Sequence, residues 1–331
     1  MHAPIIVTAD RGNACQFCVI GPESVVTFRR NFPTPSASTL AMTVTDDNST
    51  LRSADVRRRF DRAADQFDDA DFVHRVTRDG LFARIRPMSV DAKIVVDLGS
   101  ATGSAGRLLE KRFRGARVVA VDLSAGMLGK LRRKRSWFSK IAAVQGDARA
   151  LPLADASVDV VFANLLLPWI DEPMAAFTEI ARVLRKDGLF TFATLGPDSL
   201  LGLRNAWRVA DDSLHVRCFP DMHDIGDALV RAGLRDPVLD VDRLSVSYPN
   251  SAALFRDITA TGARNSLQLR ARGLVGRRRF RAMTDALFAP EQAGGATLQF
   301  ELVFGHCWGG ATQNAADGVP IDATKIPLRR R

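Results

Sequence analysis

Between Lys93 and His306 the chain alternates two kinds of pattern. Short runs rich in apolar and β-branched residues, KIVVDL, ARVVAVD, KIAAVQG, VDVVFAN, GLFTFATL, PVLDVDRLSVSY and TLQFELVFGH, read as strands. Amphipathic stretches starting near Ser104, Ser124, Pro173 and Asp221 read as the helices between them. Strands this continuously apolar, separated by helices, predict a mostly parallel sheet covered on both faces. The last two runs are joined by something other than a simple crossover helix, so the final hairpin is expected to be antiparallel. Two insertions break the rhythm: GPDSLLGLRNAWRVADD, and the stretch from NSAALFRDITATGARN through MTDALFAPE. Ahead of the first strand, Val56, Phe60, Ala63, Ala64, Phe67, Val73, Val76, Leu81 and Ile85 recur at helical spacing and predict two helices. Residues 1–50 show no sustained period and read as a disordered extension. The remainder, 51–331, reads as one α/β domain of seven strands with cap elements at 53–87, 197–215 and 250–296. The cap is expected over the carboxyl edge of the sheet, where doubly wound sheets bind ligands.

Composition narrows the class. At 331 residues, 46% hydrophobic and 25% charged, the chain is long enough to bury a full core. No window approaches the roughly 18 apolar residues of a spanning helix, so a cytoplasmic protein without a membrane partner is expected. The four cysteines are too scattered for a disulfide framework, and the CQFC pair at Cys15 and Cys18 lacks the second pair a structural zinc needs. His74, His215, His223 and His306 have no ligand-like spacing, and no metal is expected. A formal charge of +9 implies an acidic partner. It is concentrated in two runs, KLRRKRSWFSK from Lys130 to Lys140 and RARGLVGRRRFR from Arg270 to Arg281. Neither sits in a nucleic-acid-binding motif, so no nucleic acid partner is expected.

The chemistry concentrates at the strand ends. IVVDLGSATGSAGRLLEK is a strand, a turn of small residues and a helix, in which Asp97, Gly99, Ala101 and Gly103 form acid-x-G-x-A-x-G. The spacing fits neither a dinucleotide fingerprint nor a phosphate loop, which requires a lysine. Asp122 ends the second strand, Asp147 follows the third and Asn164 closes the fourth. A carboxylate in the Asp122 position can accept from both hydroxyls of a ribose.

This series resembles class I S-adenosylmethionine-dependent methyltransferases, whose fold is Rossmann-like, with Ala101 where that family usually has glycine. The resemblance implies that Asp97, Gly99, Ala101, Gly103, Asp122, Leu123, Met127, Asp147, Ala148 and Asn164 bind S-adenosylmethionine. In that family Asp147 takes the adenine amino group, Ala148 N–H meets the ring and Asn164 lies by the methionine end. Phe60, Phe67 and Phe72 would form a lid. From about residue 53 onward, RRRFDRAADQFDDA, NLLLPW, TLGPDSLLGLR, FPDMHDIGDALVRAGLRDPVLDVDRLSVSYPN, ATGARN and FGHCWG narrow the resemblance to the malonyl-acyl-carrier-protein O-methyltransferases of biotin synthesis. Leu167, Pro168 and Gly202 depart from that pattern on the acceptor side. An alternative resemblance is to mitochondrial complex I assembly proteins of the same fold, reported as protein-arginine hydroxylating.

A malonyl carboxylate, on malonyl-acyl carrier protein or malonyl-coenzyme A, is ionised at pH 7, so the absence of a Ser-His-Asp or Cys-His set is consistent with O-methylation. It needs a cation to orient it. Arg204, Arg256 and Arg264 are the candidates, with His223, Tyr248 and Asn265 as polar neighbours. An acidic acyl carrier protein is the expected partner, docking on Arg270, Arg272, Arg277, Arg278, Arg279 and Arg281.

Overall fold

The computed structural model describes residues 50–137, 139–270, 273, 275–289 and 295–310, together with the backbone of three short strands near the N-terminus. Those strands are β1 (Ile6–Asp10), β2 (Cys18–Val19) and β3 (Val25–Thr27). The strands of the main domain are β4 (Ile94–Leu98), β5 (Arg117–Asp122), β6 (Ala142–Gln145), β7 (Val158–Asn164), β8 (Leu184–Leu195), β9 (Leu234–Tyr248) and β10 (Ala296–Gly309). The sheet runs β2-β3-β1-β9-β10-β8-β7-β4-β5-β6. β8, β7, β4, β5 and β6 are mutually parallel, whereas β10 is antiparallel to both β8 and β9. The main domain therefore has six strands pointing one way and its last strand reversed, as the sequence pattern predicts. The difference lies at the N-terminus, where residues 1–50 read as unstructured. There β1 pairs antiparallel with β9 through Ile6–Asp10, whose β-branched residues supply a strand to an otherwise open edge. The other residues before Thr50 lie outside the described set.

Both faces of the sheet are covered, and the apolar runs divide residue by residue between them. Val95, Val118, Ala120, Val160 and Phe162 enter one buried cluster; Val96, Val119, Val121, Val161 and Ala163 enter the other. Helices α4 (Ser104–Arg112) and α5 (Ala125–Lys134) cover the first face. Helix α6 (Pro173–Val183) and helix α8 (Met222–Arg231) cover the second.

The two predicted N-terminal helices are three pieces: α1 (Ser53–Ala63), a single turn α2 (Phe67–Ala70) and α3 (Phe72–Ile85). The polar stretch between Asp65 and Asp71 breaks the helix and lets Phe67 turn inward, where it is buried. α3 anchors the group: Leu81 and Ile85 are buried, and the Arg84 guanidinium lies 3.7 Å from the Phe304 ring centroid while pairing with Asp240 and Asp242. The insertions form α7 (Leu201–Ala210), α9 (Ser251–Ala260) and α10 (Arg277–Leu287), with α10 packed on α7.

Candidate active site

The turn from β4 to α4 is left-handed at alternate residues: φ is 72° at Gly99, 46° at Ala101 and 80° at Gly103. A Cβ on Gly103 would lie 2.6 Å from Leu131 Cγ, so that position requires glycine for space as well as for φ. Ala101 carries the steric cost of a left-handed Cβ. Its methyl group offsets part of that cost by packing with Met127, Phe67, Ala63 and Ala64 beneath α1.

The turn is drawn onto the end of β5. Gly99 and Ser100 N–H donate to Val121 C=O at 2.8 and 3.1 Å. Ala101 N–H donates to Asp122 Oδ2 and Ser124 N–H to Asp122 Oδ1, both at 2.8 Å. Asp122 thus holds two turns together and keeps a lone pair on each oxygen for a ligand diol. Burial raises its pKa to about 6, against the pull of the Ser124 and Ala101 N–H groups. Asp97 is more deeply enclosed. Burial lifts it to about 7, the Gly106 N–H at the start of α4 opposes this, and its Oδ2 has no partner.

Asp147 is held well below the usual carboxylate range by Arg149, whose guanidinium contacts Oδ2 at 2.8 Å and also donates to Ser53 Oγ at 3.0 Å. Asn164 Nδ2 donates to His74 C=O at 2.8 Å and leaves its Oδ1 unpartnered. The His74 imidazole stands edge-on to Phe67, ring centroids 5.0 Å apart, and burial holds it near a pKa of about 4, hence neutral.

These groups line one open cleft of about 790 Å³. Of the residues assigned to the cofactor from sequence, Gly99, Ala101, Asp122, Leu123, Asp147, Ala148 and Asn164 line it. Asp97, Gly103 and Met127 lie behind the wall as supports: Met127 is fully buried, and its N–H donates to Ser124 Oγ at 3.1 Å. Phe60 and Phe67 close the roof and Trp169 meets Phe60 edge-to-face at 5.1 Å, whereas Phe72 packs into the core beside the cleft. Arg149 and His74 carry no signal in the sequence that marks them as cleft residues. Ribose hydroxyls donating to the Asp122 carboxylate fit it, and a cationic amino group fits the unpartnered Oδ1 of Asn164, so the residues present suit S-adenosylmethionine.

The roof is latched electrostatically. Asp61 of α1 accepts from Ser124 Oγ at 2.7 Å and from Gly126 N–H at 2.9 Å, at the N-terminus of α5. Lys130 and Arg133 reach Asp65 at 3.1 and 3.4 Å, Lys134 pairs with Asp68, and Thr102 donates to that same Asp68. The first basic run is therefore engaged within the molecule.

The acceptor candidates scatter. Arg204 is buried on α7; its Nη2 donates to the C=O groups of Ser199 and Arg217 at 3.4 and 3.1 Å, and its Nε has no partner. Arg217 in turn donates to Pro168 and Ile170 C=O at 3.2 and 2.9 Å, beside the cleft wall. Asn265 holds Leu214 C=O at 3.0 Å and accepts from Leu267 N–H. Tyr248 is buried in the core with its hydroxyl pKa pushed up by burial and by Asp257. His223 lies on the surface against Asp221, the cap residue of α8, away from the cleft. Arg256 and Arg264 are exposed. Among the docking residues, Arg270 is taken by the buried Asp55 at 2.8 Å, Arg272 lies outside the described residues, and Arg277, Arg278, Arg279 and Arg281 are exposed on α10.

The chain matches a family model described as a methyltransferase domain over residues 96–192. It is 39% identical over 282 residues to the malonyl-[acyl-carrier protein] O-methyltransferase of Halorhodospira halophila, covering 83% of this chain and 96% of that one. The enzyme of the same name from Laribacter hongkongensis is 41% identical over 261 residues, 76% and 88% of the two chains. Among solved structures, the YcgJ protein of Bacillus subtilis aligns with a TM-score of 0.53 at 16% identity, covering 70% of this chain and 99% of that one. A putative methyltransferase from Bacillus halodurans aligns at 0.50 and 16%, covering 70% and 97%. Both have the same fold.

Three outcomes follow from this geometry. Ala101→Gly relieves about 1–2 kcal/mol of left-handed strain but adds about 0.4–1 kcal/mol of unfolded-chain entropy and loses the methyl contact, so the melting temperature should stay within a few degrees of the wild type. Asp61→Asn weakens S-adenosylmethionine binding about tenfold, on the order of the charge-assisted bonds it removes, and salt weakens binding to the wild type more than to the variant; equal salt slopes in the two proteins would contradict the latch. Because burial raises the pKa values of Asp122 and Asp97, the folded apo protein holds protons that the unfolded chain releases above about pH 4. Their contribution to apo stability therefore declines as pH rises toward about 6 and 7, whereas cofactor affinity, needing ionised Asp122, falls as pH drops below about 6. Opposite slopes in apo melting temperature and in cofactor affinity between pH 5 and 8, with the dissociation constant falling as pH rises, check this.

Proposed function

The chain belongs to the malonyl-[acyl-carrier protein] O-methyltransferase family, and from that premise we propose that it methylates the free carboxylate of a malonyl group carried on acyl carrier protein, in the early, pimeloyl-forming steps of biotin synthesis. S-adenosylmethionine supplies an electrophilic methyl group on its sulfonium. Asp122 holds the ribose hydroxyls, the Asp147–Arg149 pair borders the adenine, and Asn164 Oδ1 accepts from the methionine amino group. Phe60, Phe67 and Trp169 keep water from the reacting end, where orientation alone can contribute ~7–11 kcal/mol.

The acceptor carboxylate is ionised at neutral pH, so no side chain has to remove a proton from it. The neutral His74 in the cleft is consistent with this. The observation that carries the acceptor assignment is Arg204. Among the described residues this buried guanidinium has a free Nε, only carbonyl partners and no counter-ion, and a carboxylate is the group that balances it in geometry and sign. Docking of an acidic carrier falls to the exposed start of α10. Arg277 and Arg278 make no ion pair among the described residues, while Arg279 approaches Asp211 at 3.8 Å and Arg281 approaches Asp285 at 3.6 Å.

The test is transfer of labelled methyl to malonyl-acyl carrier protein, with acetyl-acyl carrier protein as the control lacking the carboxylate. Base-labile label on the malonyl form alone is the expected result. Arg204→Met should lower kcat/KM for that acceptor by about 10–100-fold with cofactor affinity unchanged, and Arg204→Lys should recover part of it. Label on both acceptors, or on neither despite bound cofactor, overturns the assignment.

A further inference from the structure

A second cationic group flanks α1, the helix that carries Ser53, Val56 and Phe60 into the cleft, and it is not the one suited to the carboxylate. On α1 the cleft-facing residues are Ser53, Val56 and Phe60. Arg59 lies roughly 90° around the helix from the middle of that stripe, at 100° per residue. The loop after α9 packs on it there: a Cβ on Gly262 would lie 3.2 Å from Phe60 Cδ1 and 3.4 Å from Arg59 C=O. Arg264 follows two residues later in that loop. Arg270 is brought alongside by its ion pair with Asp55, one helical turn before Arg59. The segment is pinned by Arg52 N–H on Ser266 C=O at 3.2 Å and Gln268 N–H on Thr50 C=O at 2.7 Å. Three guanidiniums therefore converge on one flank, with Asp55 the acid that faces them and Arg62 a further cation on the same helix.

Asp55 is already shared between Arg270 and Arg58. Among the described residues Arg59 makes no hydrogen bond or ion pair, although it is half-buried. Its burial and the like charges of Arg270 and Arg264 pull its pKa down to about 10, the mark of a cation lacking a counter-ion. None of the three lines the cleft, so an anion held there is remote from the methyl group.

We propose that Arg59, Arg264 and Arg270 form a subsite for the phosphate of the acceptor's prosthetic arm, gripping the phosphodiester on that flank while the malonyl end reaches into the cleft. The inference rests on the carrier-borne acceptor proposed above. It accounts for two separate cationic sites: the acceptor has a carboxylate at its reactive end and a phosphate at the far end of a flexible linker. Arg59 is then a positioning residue, and its contribution falls on acceptor affinity.

The experiment compares malonyl-4′-phosphopantetheine with malonyl-pantetheine, which lacks the phosphate, as acceptors for the full-length enzyme. The wild type should use the phosphorylated acceptor with a kcat/KM about tenfold higher, through KM, as one or two charge-assisted bonds allow. Arg59→Met, which keeps the stem, and Arg264→Ala, at an exposed position, should each shrink that preference while leaving malonyl-pantetheine turnover as it was. Equal use of the two acceptors by the wild type, or equal losses on both in the Arg264→Ala enzyme, overturns the subsite. Calorimetric binding of 4′-phosphopantetheine without the malonyl group separates the two readings. If no malonyl acceptor is methylated yet this binding is present and lost in the variants, the function fails and the subsite stands. Absent binding in the wild type sinks the subsite alone.

Discussion

The Asp122 carboxylate is the joint on which the cleft depends. By accepting from Ala101 on one oxygen and Ser124 on the other, it fixes the turn after β4 against the turn after β5. Fixing the first turn sets the left-handed geometry of Gly99, Ala101 and Gly103, which brings backbone to the cleft floor without side chains in the way. Fixing the second presents the start of α5, with Ser124 as its cap, to the roof above. Burial makes that carboxylate costly to ionise, so the same enclosure that organises the turns also keeps it close to titration at neutral pH.

The roof shows how a charge run is used inside a fold. The face of α1 and α2 bearing Asp61, Asp65 and Asp68 lies over an α5 whose end is lysine and arginine. Such partly exposed pairs stabilise little singly. Together with Asp61 on the helix N-terminus and Arg149 on Ser53, they select one position for α1 over the cleft. A roof held by several weak, solvent-accessible pairs is suited to opening for cofactor exchange, whereas α3, locked by Leu81, Ile85 and the Arg84–Phe304 stack, stays with the sheet.

The succession of strands and helices and the acids at the strand ends were legible because both depend on local pattern. A period of two in β4, β5 and β7, buried on both sides, leaves continuous apolar runs whose last polar residue must stand at the carboxyl edge. What the sequence did not disclose depends on pairing across long separations: Asp61 with Ser124, Arg149 with Ser53, and Arg270 with Asp55. Residue type alone did not distinguish the arginines either. Arg204 and Arg256 look equivalent in their helices, yet one is buried without a counter-ion and the other is exposed. His223 and Tyr248 have suitable chemistry, but one caps onto Asp221 at the surface and the other fills the core.

The unsatisfied polar atoms complete the physical picture. Among the described residues Asp97 Oδ2, Ser100 Oγ, His74 Nδ1, Asn164 Oδ1 and Arg204 Nε are buried without partners, whereas Asp68 Oδ2, Asp71 Oδ1 and Arg75 Nε, which also lack a hydrogen bond, lie in ion pairs. Four of the first five belong to residues lining or underlying the cleft, and the fifth belongs to the cation proposed for the acceptor. Each costs roughly 1–3 kcal/mol while it stays unmatched. A chain selected for stability alone has apolar replacements available at these positions. The concentration of four of them around one cleft therefore marks a protein whose free state is left unmatched at the place where ligands can restore the missing partners, and binding and folding draw on the same interactions.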